Sequence, residues 1–206
     1  TYYNPRRMNF GALRVLNDDR VEAGKGFGTH PHKNMEIISI PLKGKLKHGD
    51  SNKNSRTITI GDIQTMSAGT GIYHSEMNGS DTEPVEFLQI WVMPEKLNTP
   101  PAYQDYNIRP FLRKNELALI VSPDGDAPAK MLQQTWFSIG EIEAGKKIGY
   151  HMHQSHAGVY IFVIEGEVKV DDTVLSRRDG MGVYDTHSFE LETLKDSHIL
   201  LMEVPM

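Results

Sequence analysis

Residues 24–44 read GKGFGTHPHKNMEIISIPLKG, and they place His30 and His32 two positions apart, ahead of an apolar run. Alternate side chains of a β-strand project from the same face, so a strand through this stretch directs both imidazoles to one side. A single pair of this kind is more often a surface or hydrogen-bonded pair than a metal site. A second pair is therefore needed before metal binding is favoured.

The stretch 61–78, GDIQTMSAGTGIYHSEMN, supplies a second pair, because His74 and Glu76 are again two positions apart. Together the two stretches offer three imidazole nitrogens and one carboxylate, with no sulfur. That donor set suits Fe(II), Mn, Ni, Cu or Zn, and it leaves coordination positions open for O2 or a substrate. The two pairs together favour a metal site over unrelated surface histidines.

The rest of the chain favours short strands over helices. Its apolar runs are bounded by Gly, Pro, Asn or Asp and are rich in Val, Ile, Phe and Thr, which is typical of strands. The clearest runs are Met35–Leu42, Arg56–Ile60, Val85–Met93, Leu117–Val121, Val159–Glu165 and His198–Val204. Many short strands at close spacing predict an all-β sandwich or barrel.

The two halves of the sequence share an order of landmarks. In the first half these are Gly24, the histidine pair at 30–32, Gly44 and Gly61; in the second they are Gly145, His151–Met152–His153, Gly166 and Gly180. The shared order predicts an internal duplication into two similar β-domains. The proline-marked stretch 94–110 reads as the linker, so we expect domains at 1–108 and 109–206.

Composition excludes several classes of protein. The 206 residues contain no cysteine, which removes disulfides, thiolate nucleophiles, iron–sulfur clusters and cysteine-based zinc sites. Lys and Arg number 22 against 27 Asp and Glu, and this net charge of −5 argues against direct nucleic-acid binding. No apolar stretch approaches the ~20 residues needed to cross a bilayer, and no secretory signal is visible, so we expect a cytoplasmic protein.

The two histidine stretches resemble the paired motifs of the cupin superfamily. Ser67 stands where cupins usually have proline, and two extra residues precede His74; both departures are typical of pirins. The segments FGALRVLNDD (10–19), GFGTHPHKNMEI (26–37), MSAGTGIYHSEMN (66–78) and FLQIWVMPE (87–95) resemble the pirin family. The resemblance covers nearly all of residues 1–122 and, more weakly, the second half. It is greatest to bacterial pirin-like proteins with quercetin dioxygenase activity.

The resemblance implies a bicupin fold, with two antiparallel β-barrels side by side. It also implies one metal ion, Fe(II) in the first place, with His30, His32, His74 and Glu76 as ligands. Glu36 is the competing carboxylate, because most cupins use that position and it shares a strand face with His32. We favour Glu76, which could also act as a general base. A further N-terminal segment is expected before Thr1 in the native protein.

The second half departs from the metal-binding pattern. His151 and His153 match the paired histidines, but Ala157 replaces the following glutamate and no PxGxxH frame precedes His187. Pirins usually have an empty second barrel, so solvent-facing or hydrogen-bonded histidines are favoured there over a second metal. We interpret His48, in Lys47–His48–Gly49–Asp50, as a solvated loop residue.

Three functions are considered for this sequence. The resemblance implies a monomeric dioxygenase that opens flavonols such as quercetin with O2 and releases carbon monoxide. The alternative is a metal-binding regulatory protein with a protein partner, in which the metal is structural or a redox sensor. A zinc-dependent sugar isomerase ranks lowest, because Lys33 and Lys45 are out of phase with the histidines and cannot face a phosphate at the metal.

Overall fold

The computed structural model describes residues 4–5, 8–53 and 55–206, which are almost entirely strand. The strands in chain order are β1 (Leu13–Val21), β2 (Gly26–His32), β3 (Glu36–Lys43), β4 (Lys45–Asp50), β5 (Ser55–Thr59), β6 (Asp62–Ser67), β7 (Ile72–Asn78), β8 (Val85–Val92), β9 (Ala102–Asn107), β10 (Ala118–Ser122), β11 (Ala129–Lys130), β12 (Trp136–Ile142), β13 (Lys147–His151), β14 (Ala157–Glu165), β15 (Glu167–Val170), β16 (Thr173–Ser176), β17 (Gly180–Tyr184), β18 (Ser188–Thr193) and β19 (Ser197–Pro205). One short 3₁₀ helix covers Arg109–Phe111. The all-β prediction is confirmed, and each of the six predicted runs overlaps an observed strand.

The chain divides into two compact units. The first unit contains Leu13–Arg109 and Pro128–Gln133, and the second contains Pro110–Ala127, Gln134–Met206 and the described residues of Thr1–Ala12. The boundary expected between 108 and 109 stays a prediction. Among the described residues, no helix is long and apolar enough to span a membrane.

The first unit contains two antiparallel sheets, with strand orders β1-β8-β3-β6-β9 and β2-β7-β4-β5. In the second unit, β12-β19-β14-β17 and β13-β18-β15-β16 repeat the orders β1-β8-β3-β6 and β2-β7-β4-β5 with every strand number raised by eleven. A shared pairing scheme of eight strands is the topology that a duplicated cupin unit requires. The internal duplication predicted from the sequence is therefore confirmed.

Each unit has its apolar core between its two sheets. In the first unit, Val85 and Phe87 on β8 pack with Leu46 on β4 and Ile58 on β5. In the second unit a larger cluster joins strands of both sheets. Full burial of one such side chain contributes about 1.5–3 kcal/mol, so the cores fix how the sheets that carry the site pack together.

Corresponding glycines make the tight connection between two strands in each unit. Gly44 follows β3 with φ +76°, and Gly166 follows β14 with φ +91°. A Cβ would lie 2.7 Å from the carbonyl oxygen of Pro84 at Gly44, and 2.3 Å from that of Asp196 at Gly166. Both the left-handed backbone and the close approach therefore require glycine.

Candidate metal centre

Three imidazoles from two neighbouring strands converge in the first unit. β2 pairs antiparallel with β7, and His30 is the direct partner of His74. The ring centroids lie 4.8 Å apart for His30–His32, 4.4 Å for His30–His74 and 4.7 Å for His32–His74. One nitrogen from each ring lies within 4.8 Å of the other two. Spacing predicted that each pair shares a strand face, and the family resemblance implied that the pairs meet; the observed convergence of the three imidazoles is what a metal site requires.

The hydrogen bonds of the triad leave nitrogens available for a cation. Nδ1 of His30 donates to the carbonyl oxygen of Gly28 at 2.8 Å, which leaves the lone pair on Nε2. That Nε2 lies 2.9 Å from Nε2 of His74. Within the described part of the chain, Nε2 of His32 is buried without a hydrogen-bond partner. A buried imidazole nitrogen without a partner is unfavourable unless a cation uses its lone pair. The residues therefore fit a divalent metal.

Burial keeps His32 and His74 neutral. Burial and, to a smaller extent, the neighbouring His30 together lower the pKa of His32 to about 4. Burial, followed by the neighbouring His32 and His30, lowers the pKa of His74 to about 3. Only a neutral imidazole can ligate a metal. Proton competition at His32 and His74 therefore begins at a lower pH than the value near 6.5 expected of an unperturbed histidine.

The lowered pKa values predict acid sensitivity of the metal-free protein. The unfolded chain takes up protons on these histidines below about pH 6.5, whereas the folded protein does so only near their lowered pKa values. Stability is therefore lost as the pH falls from about 6.5 toward 4. We expect the unfolding temperature of metal-free protein to drop between pH 7 and pH 5, and to drop less in His74→Asn. Calorimetry that shows the same change of unfolding temperature with pH for the native protein and for His74→Asn would contradict this expectation.

Glu76 shares the inner face of β7 with His74 and is 1% exposed. Its Oε1 accepts a hydrogen bond from Oγ of Ser39 at 3.0 Å, and its Oε2 accepts one from Nε2 of Gln89. Burial raises the pKa of this carboxyl, and the bonds from Ser39 and Gln89 oppose the rise. The close group of ligand atoms consists of the three histidines, so the role of Glu76 as the fourth ligand stays a prediction.

Glu36, the competing carboxylate, makes a different set of bonds. Its Oε1 accepts from Oγ of Ser67 at 3.0 Å and from the backbone N–H of Leu132 at 2.9 Å. Its Oε2 accepts from the backbone N–H of Gln133 at 2.7 Å. Glu36 therefore ties the segment Pro128–Gln133 to the first unit, and both of its oxygens serve that contact.

His48 was interpreted as a solvated loop residue, and that interpretation is wrong. The residue lies on β4 and is fully buried. Its ring stacks on Tyr103 at 4.3 Å and lies 5.3 Å from His74, while Nε2 is 3.4 Å from Oδ2 of Asp50. The alternation of Leu46, His48 and Asp50 on one strand face was the signal that could have identified it.

Three further residues around the triad were not identified as site residues from the sequence. Ser39 and Gln89 bond to Glu76, and the indole of Trp91 meets the ring of His32 edge-on at 4.8 Å. Gln89 carried a signal, because it is a polar residue in the centre of the apolar strand β8. Ser39 carried none, because its relation to Glu76 depends on how the two sheets pack.

The second unit contains no comparable group of three ligands among its described residues. His151 is exposed, as is His187. Nδ1 of His153 bonds to the buried carboxylate of Glu203 at 2.8 Å, and its ring stacks on Trp136 at 4.9 Å. This geometry agrees with the interpretation of these histidines as solvent-facing or hydrogen-bonded.

A duplicated two-sheet unit with a histidine triad on β2 and β7 defines a bicupin metal protein. Comparison with known proteins identifies its family. A family profile described as Pirin matches residues 1–92, and one described as the quercetinase C-terminal cupin domain matches 119–204. A quercetin 2,3-dioxygenase of Escherichia coli strain K12 is 39% identical over 209 residues, covering 99% of this chain and 87% of the relative. The chain belongs to the pirin family.

Two other relatives agree with this assignment. A pirin-like protein of Caulobacter vibrioides is 34% identical over 214 residues, covering 98% of this chain and 88% of that protein. The crystal structure of the bacterial pirin YhhW from Escherichia coli in complex with nickel(II) superposes with a TM-score of 0.92 at 36% identity, covering 99% of this chain and 87% of that one. The nickel complex and the histidine triad together support a divalent metal in this fold.

Proposed function

We propose that this protein is a metal-dependent quercetin 2,3-dioxygenase, which opens flavonols with O2 and releases carbon monoxide. The observation that carries the proposal is the histidine triad, in which a buried nitrogen of His32 has no partner among the described residues. The activity named for the Escherichia coli relative, at 39% identity over nearly the whole chain, supplies the substrate class.

His30, His32 and His74 would hold the metal, with Glu76 as the fourth ligand. Nitrogen and oxygen donors without sulfur accept Fe(II), Mn, Ni, Cu and Zn. Fe(II) is the ion that we propose first, and the other four are alternatives. When bound, the metal would lower the pKa of the flavonol hydroxyl by Lewis-acid polarisation. Neutral imidazoles add no charge to the site and a Glu76 carboxylate offsets one unit, so a divalent metal would keep a net positive charge toward an anionic substrate.

The carboxylate of Glu76 is the group that would take the proton of the flavonol hydroxyl. Burial raises the pKa of Glu76, so an oxygen of this carboxylate holds a proton more readily than that of an exposed glutamate. Ser39 and Gln89 keep that carboxylate on the inner face of the unit beside the triad.

Apolar side chains next to the triad would keep water from the reacting groups. Ile37, Met66 and Ile72 form a buried cluster, and Trp91 packs against it. The same Trp91 meets His32 at the ring edge. An apolar surrounding of this kind suits a flat phenolic substrate and strengthens the charges at a metal.

Oxygen consumption with quercetin tests the proposal. Metal-free protein is reloaded separately with Fe(II), Mn(II), Ni(II) and Cu(II), and O2 uptake and carbon monoxide release are followed. At least one loaded form is expected to consume O2 and to release one CO for each quercetin opened, while metal-free protein stays inactive. The proposal fails if all loaded forms are inert although bound metal is demonstrated by elemental analysis.

Several narrower statements stay predictions. These are the choice of Fe(II), the monomeric state, the cytoplasmic location and the existence of a protein partner. Size-exclusion chromatography with light scattering tests the monomer, and elemental analysis of protein purified without chelators tests the metal.

A further inference from the structure

A chain of side-chain contacts leads from Glu76 to the strand β8. The indole N–H of Trp91 donates to Oε1 of Gln89 at 3.2 Å. An indole nitrogen can only donate, so the carbonyl end of the Gln89 amide must face Trp91. The NH2 end must then face Glu76, where it donates to Oε2. Trp91 thus fixes the orientation of the amide, and the amide has no equivalent flipped state.

The other oxygen of Glu76 is held from β3, the strand next to β8 in the same sheet, where Ser39 is the direct partner of Gln89. Oγ of Ser39, on β3, donates to Oε1 at 3.0 Å. Gln89 and Ser39 therefore hold one oxygen each, and the carboxylate cannot rotate without breaking a bond in the interior of the unit. Glu76, Gln89 and Ser39 are all buried, so no solvent replaces a bond that is lost. Each carboxylate oxygen keeps a further lone pair for another contact.

We propose that Gln89, oriented by Trp91, is a positioning residue that sets how Glu76 meets the metal held by the histidine triad. The inference rests on the metal site of the proposed function, and it adds a residue that no histidine or acidic motif contains. Groups that bond to a metal ligand fix its direction, and their loss typically lowers metal affinity or activity by about 10–100-fold. Gln89 acts on the metal only through Glu76, so its effect must depend on that carboxylate.

A double-mutant cycle on metal binding tests this dependence. Ni²⁺ affinity is measured by competition with a chromophoric chelator for the native protein, Gln89→Met, Glu76→Gln and the double variant. Methionine has the length of glutamine without its donor. We expect Gln89→Met to weaken Ni²⁺ binding about tenfold in the native background and less than about threefold in the Glu76→Gln background. Equal weakening in both backgrounds, or none in the native one, would overturn the proposal.

The Co²⁺ ligand-field spectrum gives a second readout that a general loss of stability does not move. We expect Gln89→Met and Trp91→Phe to change the band positions, because each substitution removes a contact that fixes the orientation of the Glu76 carboxylate. Gln64→Met is the matched control, since Gln64 is also a buried glutamine of the first unit but donates to Tyr103 at 2.8 Å. An unchanged spectrum in Trp91→Phe, or the same change in Gln64→Met, counts against the role of Gln89. If Gln89→Met does not fold, the spectral change in Trp91→Phe must disappear in the Glu76→Gln background to support the role of Gln89, because Trp91 also contacts His32; a change that persists there counts against it.

These measurements separate the inference from the proposed function. Both readouts use bound Ni²⁺ or Co²⁺ without quercetin. Coupling between Gln89 and Glu76 in a protein that opens no flavonol would keep the positioning role and overturn the dioxygenase proposal. Turnover of quercetin without coupling between Gln89 and Glu76 would keep the dioxygenase proposal and overturn the positioning role of Gln89.

Discussion

Replacing His74 with alanine is expected to lower the affinity for divalent metal more than about 100-fold and to abolish metal-dependent turnover. Loss of a residue that only supports a ligand already lowers affinity about 10–100-fold, and His74 is itself one of the three converging imidazoles. Its position on β7 directly opposite His30 makes it the contribution of the second strand to the site. Isothermal titration with Ni²⁺ measures the change, and O2 uptake with quercetin measures the turnover.

The control for this variant is His187→Ala, which removes an exposed histidine of the second unit. It should bind metal as tightly as the native protein. The metal-free His74→Ala protein should remain folded at neutral pH, because it loses a buried imidazole whose charged form is disfavoured by burial. A variant that retains native affinity would show that the metal is bound elsewhere, and the proposed function would lose its basis.

The facing of each pair could be predicted because strand geometry is local, whereas the meeting of β2 and β7 was implied only by the family resemblance. A spacing of two places His30 with His32, and His74 with Glu76, on one face of any strand they form. The apolar run Val85–Met93 predicted the core strand β8 within one residue. The strands of the two halves could be related through their glycines, because Gly44 and Gly166 both need a left-handed backbone.

The surroundings of the triad could not be predicted because they depend on contacts between distant strands. Ser39 reaches Glu76 across 37 residues of sequence. His48 lies opposite Glu76 only because β4 pairs with β7 in the register that makes these two residues direct partners. Sequence spacing defines the face of a strand but not its partner, so residues on neighbouring strands stay unassigned until the pairing is known. Gln89 could be predicted in part. A polar residue in an apolar strand indicates a functional site, but the sequence does not show which residue it contacts.

Replacing Glu36 with alanine is expected to destabilise the protein by about 3–5 kcal/mol while metal affinity stays within about threefold. The substitution removes the acceptor of three donors, which are the hydroxyl of Ser67 and the backbone N–H groups of Leu132 and Gln133. The buried N–H of Gln133 loses its acceptor at a cost of about 1–3 kcal/mol, and the part-buried donors of Ser67 and Leu132 contribute less each. Denaturant unfolding of the metal-free protein measures the loss, and Ni²⁺ titration of the folded variant measures the affinity.

Glu76→Gln is the variant with which Glu36→Ala is compared, in both stability and metal affinity. Both glutamates are buried carboxylates of the first unit, and cupin resemblance alone leaves either of them as the metal ligand. Their hydrogen bonds differ, because Glu36 accepts from backbone of the segment Pro128–Gln133 and Glu76 from side chains beside the triad. The two variants should therefore show opposite patterns, with stability lost in Glu36→Ala and metal affinity lost in Glu76→Gln. Weak metal binding by a well-folded Glu36→Ala protein would assign the ligand role to Glu36, because a purely structural carboxylate cannot change affinity without changing stability.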